Sequence, residues 1–135
     1  MIRTTGSSVA LDTNIAIDLM QGRREAVAFL KECGEVLLPL PVLGELRYGA
    51  LLRPRPEEHE ARIDEMLKDT GVLEMTEATA RAYATIRTKL RRTGTPIPGN
   101  DLWIAAQCVA QTLPLATRDQ HFERVTDLER ILPYG

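Results

Sequence analysis

The chain has 135 residues, of which 44% are apolar, and this is enough for one hydrophobic core. The formal charge is −2, from 17 basic and 19 acidic residues, so bulk electrostatic attraction to nucleic acid is not indicated. A bound metal would add local positive charge that this count omits. No apolar run approaches the ~20 residues of a membrane span. We therefore expect one domain over residues 1–135 with no membrane association.

Two further features bear on the compartment. The segment Met1 to Ser8 lacks the long apolar stretch of a signal peptide, so a cytoplasmic location is expected. Cys33 and Cys108 are the only cysteines, and their spacing is not that of a metal site. Both fall on apolar faces of predicted helices, which favours a role as small core residues in a reducing compartment.

Short apolar runs alternate with helical patterns along the chain. The predicted strands are Val9–Leu11, Val36–Leu38, Val72–Leu73, Leu115–Thr117 and an edge strand at Ile131–Leu132. The predicted helices are Asn14–Met20, Arg24–Cys33, Pro41–Leu52, Glu57–Asp69, a long helix from an N-cap at Thr76 to Thr93, a helix through Leu102–Leu113, and one turn at Gln120–Arg124. This alternation predicts an α/β fold with a mostly parallel sheet and helices on both faces.

Four acidic residues fall where such a sheet binds ligands. Parallel sheets bind ligands outside the carboxyl ends of their strands, at the point where the strand order reverses. Asp12 follows the first strand and Asp119 follows the fourth. Glu45 and Asp101 fall in the first turns of helices predicted to begin at the same edge.

Each acid also has a structural interpretation. Asp12 and Asp119 are typical of helix N-caps, which accept hydrogen bonds from nearby backbone N–H groups. Glu45 is compatible with a solvated helix position, and Asp101 with an acid favoured by the helix dipole. Only convergence in space would make them a site.

Two glycines near Glu45 favour the interpretation that this helix forms one wall of a functional site. Gly44 and Gly49 each cost roughly 1 kcal/mol against alanine in a helix interior. We therefore interpret them as positions where another group approaches the backbone closely.

Four converging carboxylates would raise one another's pKa unless a cation compensates them. Hard oxygen ligands suit Mg²⁺ or Mn²⁺, and one or two such ions can activate water and relieve charge on a phosphate. The pattern thus predicts a metal-dependent enzyme that acts on phosphodiesters. Polar neighbours of the acids, expected to orient the ligands or contact phosphate, are Thr13, Asn14, Asn100 and Thr117.

Basic and imidazole side chains near the acids complete the candidate site. Arg47 lies two residues after Glu45, and Arg118 directly precedes Asp119, so these two arginines are the candidates for contact with the substrate phosphate. His121 is close to Asp119 and has two possible roles, surface packing or a ligand in the site. The sequence contains no Gly-rich phosphate loop and no Gly-x-Ser-x-Gly elbow. No motif therefore supports nucleotide binding by such a loop or a serine nucleophile.

Four motifs together resemble the PIN-domain ribonucleases, and VapC-type toxins of bacterial toxin–antitoxin pairs in particular. They are Asp12-Thr13-Asn14-Ile15, Leu43-Gly44-Glu45-Leu46 with Gly49, Asn100-Asp101 with Ile104-Ala105-Ala106, and Thr117-Arg118-Asp119 with Phe122. Each motif alone is weak, but they occur in the family's order from Val9 to about Leu132. All four acidic positions of the family pattern are filled.

The resemblance implies a three-layer α/β/α sandwich with a central sheet of about five mostly parallel strands. It also implies a Mg²⁺- or Mn²⁺-dependent endoribonuclease whose metal site is formed by Asp12, Asp101, Asp119 and Glu45. The implied partner is a small cognate antitoxin that places a basic side chain in the acidic site. Homodimers and larger toxin–antitoxin assemblies are usual in the family.

Two other functions are compatible with the same residues. One is an interaction module whose acidic cleft binds basic peptides without catalysis. The other is a housekeeping PIN nuclease of RNA maturation, or a nuclease of the same fold that acts on DNA.

Overall fold

The computed structural model describes residues 6–135. The expectation that Met1 to Ser8 is no signal peptide falls largely on residues 1–5, which lie outside this range. Strands β1 to β5 span Val9–Leu11, Val36–Pro39, Gly71–Leu73, Leu115–Ala116 and Arg130–Ile131. Helices α1 to α6 span Thr13–Met20, Arg24–Glu32, Leu40–Leu51, Pro56–Met66, Glu77–Thr93 and Gly99–Gln111, and a 3-10 helix spans Gln120–Arg124.

The strands form one sheet in the order β3-β2-β1-β4-β5, and every pairing is parallel. This confirms the predicted α/β architecture. The strands are continuous apolar runs, as expected for a parallel sheet that is buried on both faces. In β1 all three residues are at most 2% exposed.

The helices end where the sequence supplies stop and start signals. Thr76 caps α5 as predicted, in a reciprocal capping box with Thr79, and Gly94 ends that helix with a positive φ of 66°. No helix within residues 6–135 is long and apolar enough to cross a membrane.

The strand order places the ends of β1 and β4 side by side at the centre of the sheet. Leu11 pairs with Ala116, and the backbone N–H of Asp12 donates to the carbonyl of Ala116 at 3.0 Å. The chain builds outward from β1 to β2 and β3, then returns to add β4 and β5 on the other side. The residues after β1 and β4 therefore occupy the switch point of the sheet.

Two details of the sequence interpretation are wrong. Glu45 lies in the second turn of α3, not the first, because the helix begins at Leu40. A Cβ built on Gly44 or Gly49 meets no heavy atom within 4 Å in the described chain beyond the helix itself, so nothing in residues 6–135 approaches that backbone closely. A close approach is found instead at Gly34, where a Cβ would overlap the carbonyl oxygen of Gly6.

This contrast gives a matched test. Gly44→Ala is expected to raise the free energy of unfolding by about 0.5–1 kcal/mol, because alanine loses less backbone entropy in a helix and finds open space. Gly34→Ala is expected to lower it by about 1–3 kcal/mol, because the methyl group displaces a packed backbone segment. Urea unfolding measures both, and a destabilised Gly44→Ala protein would contradict the packing described.

Candidate metal centre

Asp12 is the buried centre of the site and is only 6% exposed. As the N-cap of α1 it accepts a hydrogen bond from the Thr13 N–H through Oδ1 at 2.8 Å. Its other oxygen, Oδ2, accepts from the Thr117 hydroxyl at 2.7 Å. Burial outweighs these hydrogen bonds and, with Asp119 and Glu45 nearby, raises the pKa of Asp12. Asp12 therefore caps α1 and also lies close to two of the other acids.

Thr117 links two of the acids through one hydroxyl group. Its Oγ1 donates to Asp12 and accepts from the backbone N–H of Asp119 at 2.9 Å. The side chain is buried directly after β4. The Asp119 loop is therefore fixed relative to Asp12 by the polar residue that the sequence placed beside it.

Glu45 reaches the same cleft from α3 and is held by two predicted companions. Its Oε2 accepts from the Thr13 hydroxyl at 3.0 Å, and its Oε1 accepts from the Asn100 amide at 2.8 Å. Asn100 directly precedes Asp101 in α6. The structure thus joins α1, α3 and α6 around one carboxylate, and it gives Thr13 and Asn100 an orienting contact.

Asp101 lies in the first turn of α6, with a side chain that is 18% exposed. Burial, followed by repulsion from Asp12 and Asp119, raises its pKa to about 6, although His121 acts in the opposite direction. Within residues 6–135 this carboxylate accepts no hydrogen bond, so its charge is the least compensated of the four.

Asp119 caps the 3-10 helix and faces Asp101 together with His121. Its Oδ1 accepts from the backbone N–H of His121 at 2.9 Å, and the imidazole Nδ1 lies 3.0 Å from the same oxygen. Ligand atoms of Asp101, Asp119 and His121 all lie within 4.8 Å of one another. This is a compact set of oxygen and nitrogen donors of the kind that holds a divalent cation.

The residues present fit such a cation. The carboxyl groups crowd at the sheet edge, and positive charge between them would relieve the repulsion that raises the pKa of Asp101. In addition, the buried Oδ1 of Asn14 has no hydrogen-bond donor within the described part of the chain. A buried oxygen without a donor, two residues after Asp12 in the chain, is suited to a water or ion that the protein itself does not supply.

The two predicted RNA contacts lie outside this group. Arg47 binds Glu60 at 2.8 Å and Asp64 at 2.9 Å. Arg118 binds Asp18 at 2.7 Å, with its guanidinium above the Tyr134 ring at 5.3 Å. Their contact with RNA stays a prediction.

Sequence reasoning missed the cluster that anchors Arg118. Asp18 accepts hydrogen bonds from Arg118, from Arg23 at 3.2 Å and from the Tyr134 hydroxyl at 2.9 Å. Burial opposes ionisation, but these donors lower the pKa of Asp18 below its ordinary value. The cluster ties α1 and the chain end to the loop that carries Asp119, and no local pattern connects residues 18, 118 and 134.

Comparison with known proteins identifies the fold family. A family model described as PIN domain matches residues 9–128. The chain belongs to the PIN-domain family. This confirms the resemblance drawn from the four motifs.

Individual relatives extend over most of this PIN domain. Ribonuclease VapC1 of Haemophilus influenzae is 32% identical over 124 residues, which cover 88% of this chain and 92% of the relative. Ribonuclease VapC5 of Mycobacterium tuberculosis is 31% identical over 121 residues, 88% of each chain. Among solved structures, DNA-bound VapBC from Salmonella typhimurium has a TM-score of 0.86 and 26% identity, covering 93% of this chain and 97% of that chain.

The raised pKa of Asp101 predicts a pH-dependent stability in metal-free protein. Folded Asp101 holds its proton up to about pH 6, against 3.8 ordinarily, so its ionisation lowers stability as the pH rises through this window. Asp101→Asn has no such penalty. Relative to the wild type, the free energy of unfolding of the variant should rise between about pH 4 and 6. Above pH 6 it should stay higher by about 1 kcal/mol, once solvent screening is allowed for.

Thermal unfolding in chelator from pH 4 to 8 measures this difference. Asp127→Asn is the matched control, because Asp127 pairs with Lys89 on the surface, away from the acids. A stability difference between Asp101→Asn and the wild type that does not change with pH would contradict the repulsion described for Asp101.

Proposed function

We propose that this PIN domain, over residues 1–135, is a metal-dependent endoribonuclease toxin of a type II toxin–antitoxin pair. It hydrolyses RNA phosphodiester bonds at the site formed by Asp12, Glu45, Asp101 and Asp119. The observation that carries the proposal is the convergence of these four carboxylates at the switch point of the sheet. Relatives named ribonuclease VapC support RNA as the substrate class.

The cofactor is Mg²⁺ or Mn²⁺, as one or two ions held by Asp12, Asp101 and Asp119, with Glu45 acting through water or at a second ion. When bound, such an ion supplies a nucleophilic water at neutral pH and offsets charge on the phosphate oxygens. The protein contributes the positioning. Hydrogen bonds from Thr117 fix Asp12, and those from Thr13 and Asn100 fix Glu45.

The open side of the site supports access of a phosphodiester. Asp119 and His121 are more exposed than Asp12, so the cleft opens along the 3-10 helix. The first turn of α6 carries backbone N–H groups without intrahelical partners, which favour an anionic group beside Asp101. Arg47 and Arg118 are proposed to contact RNA, with phosphate replacing the carboxylates that these arginines now bind.

A protein partner is supported by an apolar surface on α3. Tyr48, Leu51 and Leu52 are 65–68% exposed at the end of that helix. Solvated apolar side chains grouped in this way are typical of interaction surfaces. We propose a cognate antitoxin whose basic side chain enters the acidic cleft, and a homodimeric or larger assembly. Solved VapBC complexes of similar fold support this partner class.

Neutralising single acids tests the function. Asp12→Asn and Asp101→Asn are expected to reduce Mn²⁺-dependent RNA cleavage on the order of 100-fold or more, because each removes charge that holds the metal. Asp127→Asn is the control and should keep full activity. The measurement is cleavage of total cellular RNA by purified protein with Mn²⁺, with Mg²⁺ and with chelator, beside a circular dichroism check of the fold.

The alternatives give different results. Full cleavage by Asp101→Asn protein that is free of contaminating nuclease would overturn the proposal. An interaction module would show no metal-stimulated cleavage of any RNA, and a nuclease for DNA would cleave that substrate instead. A short neighbouring reading frame that encodes a DNA-binding antitoxin would favour the toxin over a housekeeping nuclease.

A further inference from the structure

His121 is presented to the carboxylates by a rigid turn. It is the second residue of the 3-10 helix and lies two residues after Asp119, which caps that helix. The next residue, Phe122, is fully buried and anchors the turn in the core. The backbone N–H of His121 is itself bound to Asp119 Oδ1. The imidazole therefore faces the acids because its backbone is fixed on both sides.

The distances from the imidazole match those between ligands of one ion. Nδ1 lies 3.0 Å from Asp119 Oδ1 and 3.8 Å from Asp101 Oδ2. Ligands on a six-coordinate ion at ~2.1 Å stand about 3.0 Å apart at neighbouring positions and about 4.2 Å apart at opposite ones. Both distances fall within this range.

The four acids differ in how many hydrogen bonds they accept from the protein itself. Both oxygens of Asp12 and both oxygens of Glu45 accept hydrogen bonds from the protein. Asp101 accepts none within the described residues, and the Asp119 oxygen given above faces the imidazole. Asp101, the carboxylate that accepts no hydrogen bond from the described residues, thus lies on the side of the cleft where His121 sits.

We propose that His121 is a nitrogen ligand of the metal centre and biases it toward first-row transition ions over Mg²⁺. This inference rests on the proposed function, since it concerns the same site. Imidazole suits transition ions, whereas Mg²⁺ prefers carboxylate, carbonyl and water oxygens. A site of carboxylates alone would have no such bias. Mn²⁺ is a stringent probe of this bias, because it binds nitrogen more weakly than the later ions of the series.

Electron spin-echo spectroscopy of bound Mn²⁺ tests the ligand directly, without any activity assay. A coordinated imidazole modulates the Mn²⁺ echo through its ¹⁴N nucleus, and labelling of histidine with ¹⁵N changes that modulation. The chain has two histidines, so His59→Asn is the matched control for His121→Asn. His59 lines a hollow with Arg53, Arg62 and Glu45. It does not belong to the group of close ligand atoms that Asp101, Asp119 and His121 form within the described residues. Purification tags and nitrogen-containing buffers must be absent.

The expected result is histidine ¹⁴N modulation in the wild type and in His59→Asn, and its loss in His121→Asn. Titration calorimetry should show that His121→Asn weakens Mn²⁺ binding about tenfold and Mg²⁺ binding less. Equal weakening for both ions would assign His121 to a hydrogen bond with Asp119 only, and would overturn the proposal.

The outcomes separate this inference from the proposed function. Bound Mn²⁺ without histidine modulation, or modulation that persists in His121→Asn, overturns the role of His121 and leaves the nuclease intact. Absence of Mn²⁺ binding to the wild type overturns both. The circular dichroism spectrum of His121→Asn shows that any loss is not unfolding.

Discussion

The structure depends on one electrostatic constraint: four carboxylates share the central edge of a parallel sheet. Asp12 is buried there and Asp101 is half-buried, so water relieves their repulsion only in part. Hydrogen bonds from Thr13, Asn100 and Thr117 stabilise the fixed pair, Asp12 and Glu45. Asp101 and Asp119 keep the residual negative charge, and this is the charge that the proposed cation would compensate.

The sheet topology makes this constraint possible. Because β1 lies between β2 and β4, the residues after β1 and β4 meet at the switch point. Helices α3 and α6 then bring Glu45 and Asn100 together across 55 residues of sequence. The stability given up by crowding the acids is consistent with a site selected for binding and not for folding, since removal of one charge should stabilise the metal-free protein.

Much of the fold and of the candidate site was predictable from the sequence, for identifiable reasons. Buried parallel strands such as Val9–Leu11 are continuous apolar runs, and α5 carries its own cap at Thr76, so local sequence predicts both. The roles of Gly44 and Gly49 were not predictable, because a helical glycine looks the same whether its space is filled or open. The Asp18, Arg118 and Tyr134 cluster joins distant positions without periodicity. Orientation of His121 likewise follows from the buried Phe122 and not from a motif.

The most direct test of the account is anomalous diffraction at the manganese edge from crystals grown with Mn²⁺. The expected result is a peak within bonding distance of carboxylate oxygens of Asp12, Asp101 and Asp119, and no such peak in Asp101→Asn crystals. A wild-type protein that shows no peak between these residues at millimolar Mn²⁺ would contradict the claim that their crowding exists to bind a cation.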